Sequence, residues 1–148
     1  MFNVFLALHV LAAVGAIGPL IHAATTAARG LRRSNATATA EASRMLKIYS
    51  IASVIVVILG FGLLSTTSPD THKKPGDFAD TWVWLSVVLW LIGIGLAWGV
   101  LSRTLDRATT MINNSESTAA LRGRVAAVGG IIGLIFAAII VLMVYRPS

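Results

Sequence analysis

The chain contains no cysteine, which excludes disulfides, thiolate metal sites, iron–sulfur clusters and cysteine nucleophiles. Charge is also scarce, at 12% of residues, where a soluble domain carries roughly 25%. The six Asp and Glu residues all fall between the apolar blocks, and no Lys or Arg sits in a block interior. Proton pumps, ion-coupled carriers and carboxylate metal sites need ionisable groups inside the bilayer, so this scarcity argues against all three.

What remains is apolar: 56% of the residues are hydrophobic. They form four blocks, at about 3–28, 46–65, 81–101 and 125–145. Each can cross a hydrocarbon core of ~30 Å as a helix. None alternates as a barrel strand would, and backbone groups in lipid must be satisfied within their own segment. The first block lacks a basic lead-in and is too long for a leader's apolar core, so it reads as a span. The expected fold is all-α: one domain over residues 1–148, an up-and-down bundle of four transmembrane helices.

The net charge of +6 would suit nucleic acid, but the basic residues cluster beside the spans. Arg29, Arg32, Arg33, Arg44 and Lys47 flank the first connection; Arg103, Arg107, Arg122 and Arg124 flank the third. In the second connection Lys73 and Lys74 are offset by Asp70, Asp77 and Asp80. The positive-inside rule therefore puts the first and third connections in the cytoplasm and both termini outside, as in a bacterial inner membrane. Arg29, Arg32, Arg33, Arg44, Arg122 and Arg124 are expected to meet anionic lipid headgroups, and nucleic acid is not expected as a partner.

The halves echo each other at a spacing of 78 residues: Gly15 with Gly93, Arg29 with Arg107, Asn35 with Asn113, Arg44 with Arg122. Two repeated hairpins would give this pattern, and so would any two membrane hairpins with glycines and inner arginines. Brief turns near Asn35 and Asn113 should join helices that extend beyond the spans. Small residues mark packing seams, because membrane helices associate by close backbone approach. Gly129, Gly133 and Ala137 form one such row, with Ala126 and Gly130 beside it; Ala12, Ala13 and Ala16 form another, and Gly95 and Gly99 a third. These could serve the bundle or a partner helix. Gly18-Pro19 is the one candidate kink.

Two histidines lie in the first span. His9 and His22 are separated by about 20 Å along a helix and about 140° around it, so they cannot share a ligand. His9 shares a face with Ala12, Ala13 and Ala16 and should point into the bundle; His22 lies towards the basic end beside Thr25 and Thr26. His9 reads either as a haem ligand or quinone contact, or as an imidazole bonded to a neighbouring helix. His72 with Asp70 supplies two potential metal ligands on a turn-rich loop, too few for a site.

The run Phe5-Leu6-Ala7-Leu8-His9-Val10-Leu11-Ala12-Ala13, followed by Gly15, Gly18 and an arginine-rich turn, resembles small four-span bacterial membrane proteins with an early Leu-His-Val histidine. It is distantly similar to the copper-resistance CopD family and to HemJ-type protoporphyrinogen oxidases. The resemblance implies that the histidine matching theirs, His9, contributes to a haem site. The later spans here lack the further histidines and charges of those families. The reading favoured by elimination is a non-catalytic accessory or assembly subunit, packed in a larger and plausibly respiratory membrane complex, with no cofactor expected. The alternative is a haem- or quinone-handling membrane protein that uses His9.

Overall fold

The computed structural model describes residues 1–147. They form four long helices: α1 (Phe2–Arg32), α2 (Ala36–Leu64), α3 (Thr81–Asn113) and α4 (Ala119–Tyr145). No strand occurs among the described residues. All four helices are long and apolar enough to cross a bilayer, so the protein is a multi-pass all-helical membrane bundle. Each helix packs against its neighbours in chain order, and α4 closes the ring on α1. One end of the bundle carries tight turns at residues 33–35 and 114–118, and is termed the turn end. The loop end carries both termini and the connection 65–80, whose Phe78 stacks on Phe61 of α2 at 5.8 Å.

The helices do extend past the apolar blocks, because the Ala-, Ser- and Thr-rich flanks bond as helix until a cap stops them. The two tight turns are built alike. In the first, Ser34 N–H bonds to the Leu31 carbonyl and Asn35 N–H reaches back to Gly30; in the second, Ser115 bonds to Ile112 and Glu116 to Met111. Both are Schellman-type stops with a serine in the left-handed region, at φ 47° and 59°. From Ser34 to Ser115 the displacement is 115 − 34 = 81, so the structural register at the turns is three residues longer than the sequence spacing suggested. Part of the slip comes from α3, which widens into π-helix over Leu96–Ser102 and spans 33 residues against 31 in α1. The hairpins differ at the next step. Asn35 caps α2 by accepting from Ala38 N–H at 3.0 Å, whereas buried Thr118 caps nothing in α4.

The core lies mostly in the turn-end half. Ala23, Ala24, Ala27 and Ala28 give α1 an alanine face, packed with Leu20, Leu31, Leu46, Leu101, Leu105, Val125 and Ile132. A Cβ at Gly129 would collide with the Ala24 carbonyl oxygen, and would stand 3.0 Å from its carbon. Only glycine admits the α4 backbone here. One turn on, a Cβ at Gly133 would meet Thr25 Cγ2 at 3.3 Å, a milder squeeze. The seam expected on the fourth span is therefore internal, with α1 as its partner. Ala137 does not belong to it: its side chain is exposed, as are Ala126 and Gly130. The reason is helical pitch, since a step of eight residues drifts about 80° around the axis. Gly95 and Gly99 also face open space rather than a helix of the bundle. Ala16 is buried, Ala12 and Ala13 half-buried, and α1 continues unbroken through Pro19.

Candidate functional site

Towards the loop end the helices stay together in pairs. Within α1 and α2, His9 touches Gly60; within α3 and α4, Phe136 lies against Gly93. Between the pairs lies a cavity of about 690 Å³, within the roughly 300–1,000 Å³ typical of small-molecule and cofactor sites. Val10, Val14 and Ile17 line it from α1, Val56 and Gly60 from α2, Val83, Ser86 and Trp90 from α3, and Phe136, Ile140 and Met143 from α4. It opens sideways between α1 and α4, where the lining residues Val14 and Val144 are 69% and 72% exposed. In a bilayer that opening faces lipid tails.

Most polar groups around this space are already engaged. The Trp90 indole donates to Ser53 Oγ at 2.9 Å, and the Ser53 hydroxyl donates to the Ser50 carbonyl at 2.7 Å. Ser86 donates to the Trp82 carbonyl at 2.8 Å. His9 differs. Its Nδ1 lies 2.9 Å from the Val56 carbonyl oxygen, which can only accept, so Nδ1 carries the proton of the neutral ring. The other nitrogen, Nε2, then keeps its lone pair. Gly60 makes this pose possible, because a Cβ there would stand 3.1 Å from the imidazole Cε1. His9 thus points into the bundle as its sequence neighbours suggested, bonds a neighbouring helix, and lines the cavity.

Arg146 forms part of the rim. It ends α4 in the left-handed region at φ 44°, with its N–H bonded to the Leu142 carbonyl at 2.9 Å. Its guanidinium donates from Nε to Met143 and from Nη1 to the Pro75 carbonyl, at 3.2 and 3.1 Å. Pro75 belongs to the same rim, so this bond ties the loop to the end of α4 above the cavity. Nearby, Asp80 Oδ2 accepts from Asp77 N–H at 2.8 Å and from the Trp82 indole at 3.3 Å.

A second polar group bridges α2 and α3 near the turn end, beyond the apolar stretch of α3. Lys47 and Asp106 pair at 2.6 Å, and the Ser43 hydroxyl donates to the other Asp106 oxygen. Burial pushes the Asp106 carboxyl up, but the bonds from Lys47 and Ser43 outweigh it and hold the group below its ordinary range. Ser43 also lies 3.2 Å from the Ser102 carbonyl, at the end of the π-helical stretch.

The remaining sequence candidates are dispersed. Arg29, Arg32, Arg33, Arg44, Arg122 and Arg124 are all exposed at the turn end. His22 is exposed and outside the cavity lining; His72 sits on the loop at φ 52°. No group of three potential metal ligands occurs among the described residues. The sequence did not reveal that Trp90, Met143 and Arg146 line one cavity with His9, because that depends on how the helices splay. Arg146 alone left a signal, as a single cation just past the last span.

No curated protein and no solved structure matches this chain. A family model matches residues 3–147, nearly the whole bundle, and on that ground the chain belongs to the family described as predicted integral membrane protein (DUF2269).

Proposed function

We propose that the protein is a non-catalytic membrane component that holds a lipid-soluble ligand of the haem or quinol class in the loop-end cavity. The observation that carries this reading is the free Nε2 lone pair of His9, on an apolar cavity that opens towards lipid. Such a lone pair can ligate iron or accept a hydrogen bond from a hydroxyl. An oxidised quinone offers only carbonyl acceptors, so a reduced quinol suits this ring better. The resemblance of the first span to haem-associated families points to the same residue. By the positive-inside rule the cavity lies in the outer half of a bacterial inner membrane. A cysteine at Thr71 should then react with an impermeant thiol reagent in intact cells, and one at Asn113 should not; the reverse pattern would invert the orientation.

The deciding experiment is purification in mild detergent, followed by an absorption spectrum, organic extraction and identification of co-purifying chains. A stoichiometric Soret band lost in His9→Gln establishes haem; a spectrally silent quinol lost in the same variant establishes the other. An empty cavity in wild type would defeat the reading. The substitution should cost little stability, because membrane hydrogen bonds average roughly 0.6 kcal/mol.

A second reading, an accessory subunit of a larger and plausibly respiratory complex, is favoured by Gly95 and Gly99. They stand one turn apart on the outside of α3 with no side chain near them, a surface on which a partner helix could approach closely. The same purification tests it, through a stoichiometric partner that is lost when Gly99 becomes leucine.

A further inference from the structure

We infer that the cavity's ligand carries an anionic group, which the Arg146 guanidinium receives at the cavity rim. This rests on the cavity-binding reading above and names the chemistry of one end of the ligand. Three observations lead to it. First, Arg146 lines the same space as His9, so one molecule can meet both. Second, the guanidinium is held rather than free: the chain turns left-handed at Arg146, and Nε and Nη1 are fixed on the Met143 and Pro75 carbonyls. Of five N–H donors, these two bonds use two and leave three. Third, no carboxylate among the described residues pairs with Arg146, and the adjacent Asp80 is engaged by Asp77 and Trp82.

A fixed cation above an apolar space suits an amphiphile with its body in the cavity and its head in the rim. Arginine's planar donors match the oxygens of phosphate and carboxylate alike. The shared chemistry is an oxyanion on a lipophilic body. It could be a lipid headgroup or the acid group of a ring ligand. A neutral quinol would leave the three remaining Arg146 donors without an oxyanion to receive.

Trp82 and Trp90 line the cavity, so quenching of tryptophan fluorescence by dibrominated chains reports occupancy. Three probes share one chain: a lysophosphatidic acid, a fatty acid and a neutral monoacylglycerol. Wild type should bind at least one anionic probe about tenfold more tightly than the neutral one, a modest yield for charge-assisted hydrogen bonds. Preference for the phosphate assigns a lipid headgroup; preference for the carboxylate assigns an acid-bearing ligand; either supports the inference. Arg146→Gln should erase the preference while keeping affinity for the neutral probe, which shows that the cavity is intact. Arg146→Lys should keep part of it. Equal binding of all three probes by wild type would overturn the anion inference and leave the cavity reading standing. A preference undiminished in Arg146→Gln would overturn the assignment to Arg146 and likewise leave the cavity reading standing. Absence of quenching by every probe would remove the cavity reading and this inference with it.

Discussion

The two halves of the bundle solve different problems with the same helices. In the turn-end half, α1 presents alanines and α4 presents glycine, so the backbones meet and bury Leu20, Leu31 and Leu105 completely. In the loop-end half, α1 offers Val10 and Val14 and α4 offers Ile140 and Val144, and the helices stand apart around open space. Lipid tails are as apolar as these side chains, so nothing forces the second half shut. On α4 glycine acts as the fastener, and where it gives way to Phe136, Ile140 and Val144 the bundle opens.

That contrast breaks most readily at Gly129. Leucine there must displace the α1 backbone at Ala24, and Gly129→Leu is expected to abolish recovery of folded, monodisperse protein. Gly133→Leu meets a threonine methyl instead and should cost about 1–3 kcal/mol, as overpacked cores do. Ala137→Leu faces outward and should stay within roughly 0.5 kcal/mol of wild type. Thermal unfolding in detergent ranks the three, and a different order would dissolve the distinction between seam and lipid face.

A gentler test works on the open half alone. Phenylalanine at both Val14 and Ile140 narrows the sideways opening without touching the alanine face. Co-purifying ligand, measured by extraction and mass spectrometry, should fall severalfold while the unfolding temperature moves by a few degrees at most. A large loss of stability would mean that the loop-end half contributes to holding the fold.

These expectations show which parts of the molecule could be read in advance. The four spans, their helical extensions and the inward aim of His9 follow from local rules of hydropathy and pitch. Gly129 and Gly133 were legible as a seam because neighbouring turns share a face. Ala137 stands outside the internal seam because its row has rotated away by then, which leaves its side chain exposed. The echo at 78 residues and the displacement of 81 between the two turns differ in part because the π-helical stretch of α3 has no sequence signature of comparable strength. The cavity could not be read at all, since it arises from where four helices part. The Lys47–Asp106 pair joins residues on different helices that no periodicity relates.

The smallest expected effect lies at that pair, which fastens α2 to α3 at the closed end. A carboxyl held low in the folded state adds stability that is present above its unfolded value and lost as pH falls through its folded value. For Asp106 the loss should therefore begin below roughly pH 4. With the two side chains 38% and 49% exposed, solvent screens the interaction and the effect should be slight. Unfolding curves between pH 3 and pH 7 should show a shallower acid decline for Asp106→Asn than for wild type. An identical decline would assign the acid sensitivity to other groups.

The contact of α4 with α1 also sets an order of events at the ribosome. The alanine face of α1 is made before the glycine that fits it, which belongs to α4. Until Gly129 enters the membrane, α1 has only α2 to pack against, and lipid must cover the remaining face. Closure therefore waits until α4 is made. A chain cut short before α4 leaves that alanine face unmatched in the bilayer, open to non-native helix contacts.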